Sequence, residues 1–73
     1  MEGLTVGRIV HFVWDGLCKA SVVTHVWDKN TGLVNLFVFR DPSANLITPE
    51  TPTSVVFSDI EHRDGTWHWI EKA

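Results

Sequence analysis

With 73 residues and a formal net charge of −3, the chain has room for one small domain. It lacks the excess of basic residues that duplex nucleic acid binding draws on. Its six Lys and Arg residues are scattered, and no apolar stretch approaches the roughly 20 residues that span a bilayer. One cysteine cannot make an internal disulfide, and Met1-Glu2-Gly3-Leu4 does not open a signal peptide. The expectation is a single soluble, cytoplasmic domain over residues 1–73.

A core of this size typically yields only about 3–5 kcal/mol of net stability. The composition, 44% hydrophobic and 11% aromatic, therefore points to heavy aromatic packing, an apolar subunit interface, or both. A homo-oligomer is expected.

Taken in order, Thr5 to Trp14 is rich in β-branched and aromatic residues and reads as a first strand. Asp15-Gly16 is a two-residue hairpin signal, because glycine takes positive φ without penalty. Leu17 to Trp27 forms the second strand, and Asp28-Lys29-Asn30-Thr31-Gly32 has the polar chemistry of a second hairpin loop. Leu33 to Arg40 is the third strand. It ends at Asp41-Pro42, since proline cannot donate to a ladder.

Leu46-Ile47 adds a short pairing before the proline-containing loop Thr48 to Thr53. Ser54 to Phe57 is the fourth strand. The charged connection Ser58 to Gly65 holds a helical turn at Asp59 to His62, and Thr66 to Ile70 closes the chain. No helical period and no repeat appears. Five short strands with tight turns predict an all-β fold, a small five-stranded barrel of the Src-homology-3-like type; the alternative is an oligonucleotide-binding-type barrel.

Chemistry is sparse. His11, His25, His62 and His68 show no H-x₃₋₅-H spacing and Cys18 has no C-x₂-C companion, so neither a metal site nor a cofactor is expected. His62-Arg63-Asp64 echoes a kinase tripeptide without any of the other kinase motifs. Cys18 beside His11 or His25 across the first hairpin is geometrically feasible for a nucleophile. The simpler reading is a poorly exposed thiol that packs as a hydrophobe. No catalytic residues are assigned, and an enzyme is not expected.

The positive signal is aromatic. If Ile9, Val13, Val22, Val26, Leu36 and Val38 fill the barrel, the other register covers an outer face; otherwise the tryptophans wrap the barrel ends as lids. Trp67 and Trp69 alternate on one side of the last strand with His68 on the other. With enough aliphatic residues to fill the interior, the pair is expected half-buried at a rim. Trp27, Phe37 and Phe39 are the expected interface residues.

Val6-Gly7-Arg8-Ile9-Val10-His11-Phe12-Val13, the Cys18-Lys19-Ala20 entry into a strand ending Val26-Trp27, and the closing Gly65-Thr66-Trp67-His68-Trp69 carry a resemblance. They resemble small proteins common among bacteriophages and their actinobacterial and other hosts. The likeness covers most of the chain apart from the proline-containing loop. It implies a phage-type accessory protein acting inside a bacterial cell. Small phage proteins of this kind include sponges that sequester nucleotide signals of host defence.

By that analogy Trp67, Trp69 and Trp14 stack on a base, while Arg40, Arg63, His62 or His68 pairs with phosphate or ribose. The leading expectation is a non-catalytic module binding a small nucleotide-like ligand on an aromatic surface or oligomer interface. The alternative is a protein-interaction or virion adaptor module using the same aromatic face. Neither duplex nucleic acid nor a membrane is an expected partner.

Overall fold

Asp15 and Gly16 both adopt left-handed backbone, with φ of 53° and 75°. This is the primed turn whose twist matches two flanking strands, and it joins β1 (Ile9–Trp14) to β2 (Leu17–Asp28). The computed structural model describes residues 1–39 and 51–70. Arg40, the end of the expected third strand at Asp41-Pro42 and the Leu46-Ile47 pairing lie outside the described residues.

β1 starts four residues later than the sequence predicts. Gly7 has a φ of 92°, and this left-handed residue breaks the run from Thr5. The second loop is built on Asp28, whose Oδ1 accepts the backbone N–H groups of Asn30 and Thr31. Gly32 ends the loop in left-handed backbone and donates its N–H to the Asp28 carbonyl, leading into β3 (Leu33–Val38).

β4 (Val56–Phe57) and β5 (Thr66–His68) are short. The expected helical turn at Asp59 to His62 is absent: that segment bends irregularly, and the Ser58 hydroxyl donates to the Glu61 carbonyl.

The sheet order is β3-β2-β1-β5-β4, antiparallel except for the parallel β4–β5 pair. It curls until Val55, just before β4, meets Val34 of β3 through two backbone hydrogen bonds of 2.7 and 3.1 Å. The result is an all-β small barrel: a three-strand meander with β5 returning beside β1.

The interior holds Leu4, Val10, Phe12, Val23, Val34, Leu36, Val38, Val55 and Trp67. This corrects the expected filling. In β3 the aliphatic register faces inward, but in β1 the inward residues are Val10 and Phe12, and Ile9 and Val22 lie on the outer face. Val22 and Val26, expected on one face, are separated by an irregularity in β2, where Thr24 and Trp27 are extra residues opposite β3. Each is a bulge, and each switches the face that later side chains take. Val26 thereby turns to the core, while His25 and Trp27 stay exposed.

Trp67 is also corrected. It is fully buried, edge-on to Phe57 at 4.8 Å and to Trp69 at 5.1 Å, and its indole N–H donates to the Gly32 carbonyl at 2.6 Å. With Ile9 and Val22 outside, the small aliphatic residues cannot fill the interior, and the indole supplies the missing volume. Trp69 alone is half-buried at the rim.

Candidate functional site

Antiparallel partners share a sheet face, so the pairings locate the outer surface residue by residue. His68 of β5 lies opposite His11 of β1, which lies opposite Ala20 of β2; two residues along, Val13 faces Cys18. Three strands thus bring His11, Cys18 and His68 together on one outer face. Their potential ligand atoms all lie within 4.8 Å of one another.

Cys18 Sγ is 3.7 Å from His68 Nε2 and 3.8 Å from His62 Nδ1. His62 arrives on the connection before β5, its ring parallel to His68 at 4.1 Å, while His11 meets His68 edge-on at 5.4 Å. That connection is anchored twice at its C-terminal end. Gly16 N–H donates to Asp64 Oδ1 at 3.0 Å, and Gly65 N–H donates to the Val13 carbonyl at 2.8 Å. It covers Val13 and His68, which explains their burial on an outer face.

His68 therefore cannot meet a ligand's charge at the surface, as expected for a phosphate partner. The thiol is also corrected: Cys18 is exposed, because it sits one residue inside the hairpin beside its turn. Sequence spacing did not reveal this group, since its members come from three strands and a loop. The usable signal was the Cys18–His11 proximity across the first hairpin.

Two further features flank the cluster. The first is an apolar row. Ile9, Val22 and Phe37 are paired across β1, β2 and β3, and the β1–β5 register carries the row on to Ile70. Phe39, hydrogen-bonded through its N–H to Ala20, packs edge-on against Phe37 at 5.8 Å. Ile9, Phe37, Phe39 and Ile70 are 41–49% exposed, and Val22 between them is half-buried. Trp27 is exposed near the bulge, its indole N–H donating to Asn35 Oδ1 and its ring edge-on to His25.

The second is an open cleft of about 560 Å³ lined by Gly7, Arg8, Ile9, Trp69 and Ile70. The Arg8 guanidinium lies over the Trp69 ring at 5.5 Å.

The residues expected to form one nucleotide platform are dispersed. Trp67 is in the core and has no face for a base. Trp14 is half-buried, stacks at 6.2 Å on Phe12, and lies at the far end of β1 from Trp69. Arg63 is exposed and pairs at 3.6 Å with Glu61, and Arg40 lies outside the described residues. Arg8 is the cation beside an exposed indole face, and the sequence reading did not select it.

Among the described residues no helix is long and apolar enough to cross a membrane. Comparison of the chain with protein-family models, with curated proteins and with solved structures finds no match.

Proposed function

We propose that this protein is a non-catalytic binding module that engages another protein chain through the outer face of its sheet. One observation carries this reading: Ile70, Ile9, Phe37 and Phe39 are exposed on one outer face and are bridged by the half-buried Val22. Isolated apolar side chains on a surface are ordinary, whereas a contiguous row across several strands marks an interaction surface. Aromatic anchors flanked by polar residues such as His25 and Asn35 are what a protein interface uses. Oligomerisation through this face and an accessory role in a phage-infected bacterial cell belong to the same reading, the latter resting on the closing Gly65-to-Trp69 motif.

The test combines analytical ultracentrifugation of the pure protein with affinity capture from host lysate. Wild type is expected either to self-associate or to return one stoichiometric protein. A Phe37→Ser, Phe39→Ser double variant is expected to lose that association by at least about tenfold while staying folded. Unchanged association in the double variant would refute the proposal.

A second reading is supported by the Arg8–Trp69 pair alone. A guanidinium beside an indole face suits a nucleotide-like ligand, with stacking on the ring and charge pairing at the cation. Calorimetry against nucleotide signals, with Arg8→Ala and Trp69→Ala as controls, tests it. Tight binding lost in both variants, with the Phe37/Phe39 variant unaffected, would favour the small ligand over the protein partner.

A further inference from the structure

We propose that His11, Cys18 and His68 form a binding site for a zinc-class divalent transition metal. Thiolate and imidazole donors select such ions, and the absence of a carboxylate from the group disfavours magnesium and calcium. Tetrahedral zinc with sulfur at about 2.3 Å and nitrogen at about 2.0–2.1 Å places neighbouring ligand atoms about 3.5 Å apart. The Cys18 Sγ–His68 Nε2 distance of 3.7 Å is already close to that edge, and all three ligand atoms fall within 4.8 Å. Side-chain movements on the order of 1 Å bring the remaining edges to the tetrahedral distance.

An independent observation points the same way. His11 Nδ1 is buried and has no hydrogen-bond partner among the described residues. An imidazole nitrogen hidden from water and without a hydrogen-bond partner is a costly arrangement, and an ion ligated by that nitrogen relieves it.

His62 does not complete the set as it stands. Its ring is parallel to His68, with an interplanar angle of 3° at 4.1 Å, and two stacked rings cannot both aim in-plane lone pairs at one ion. The fourth position faces the exposed side of Cys18 and is filled by water, or by His62 after its ring turns. On binding, the thiol proton leaves to solvent and the thiolate ligates. The ion then ties β2, β1 and β5 into one unit, a staple for a domain whose core is small.

The test is titration of the metal-free protein with Co²⁺, which reports thiolate ligation as a charge-transfer band and tetrahedral geometry as strong visible d–d bands. Wild type is expected to bind one ion with both signatures, with Zn²⁺ displacing it and raising the melting temperature. Cys18→Ser is expected to abolish the charge-transfer band and weaken binding by at least about tenfold, the lower end of the cost of even an outer-shell change. His11→Gln is expected to weaken binding similarly. His25→Gln and the Phe37/Phe39 variant, both outside the group, are expected to bind as wild type, so this test fails or succeeds independently of the docking face. Circular dichroism verifies that each variant is folded. A folded wild type with no thiolate–cobalt band, or Cys18→Ser binding as tightly as wild type, would overturn the proposal.

Discussion

At Trp67 the indole N–H reaches the Gly32 carbonyl while the ring fills the core, so one side chain joins the last strand to the second loop. Gly32 is constrained in return: it has a φ of 82°, and a Cβ there would sit 2.8 Å from the Phe57 Cβ. Trp67→Phe should keep much of the ring volume, open a void and strand a buried acceptor. The expected loss is roughly 2–3 kcal/mol, read from urea unfolding. A loss within error would mean that water replaces the indole N–H.

Asp28 governs the same loop. The Asn30 N–H, then the Thr31 N–H, stabilise its carboxylate and lower its pKa below the ordinary Asp value. A carboxylate lowered on folding adds stability above its unfolded pKa, and this is lost as pH falls through the lower folded value. Wild type should therefore exceed Asp28→Asn in melting temperature near neutral pH and converge with it in acid. A difference that stays constant through the acid range would contradict this.

Among the elements, β2 decides which faces the other strands present. Thr24 inserts one residue opposite β3, so Val26 packs inward and His25 stays in water. Deleting Thr24 should restore simple alternation while leaving His25 opposite Asn35 and Val26 opposite Val34, so both keep their faces. The deletion is expected to remain folded by circular dichroism, and Thr24→Ala, at an exposed position, should stay within about 0.5 kcal/mol of wild type. A deletion variant that loses native-like dispersion in its NMR spectrum would contradict this and show that closure needs the twist the bulge adds.

In the whole molecule, closure depends on contacts between residues far apart in the chain. Val34 meets Val55, Asn35 Oδ1 accepts the Ser54 N–H as well as the Trp27 indole, and Asp64 ties the last connection to the first turn. These contacts bring the connection carrying His62 over the outer face, where it stacks on His68. Curling the sheet thus divides that face in two. One part is roofed and holds the sulfur–imidazole group; the other is open and carries Ile9, Phe37, Phe39 and Ile70.

The sequence by itself determined the strand class, the two hairpins and the five-strand count. Those depend on local chemistry, such as left-handed Asp15-Gly16 and the side chain of Asp28 capping its own loop. The exposure of Phe37 and Phe39 could be anticipated from their alternation along the third strand, whereas that of Trp27 follows from the irregularities in β2. Only tertiary pairing decided the faces taken by the later half of β2, because each bulge shows itself in pairing with β3 and not in the residues of β2. The same holds for Trp67, whose partner Gly32 is 35 residues away. It holds also for Cys18 and His68, 50 residues apart in the chain and 3.7 Å apart in space. Spacing along a chain reveals a ligand set when one element supplies it, and here three strands do.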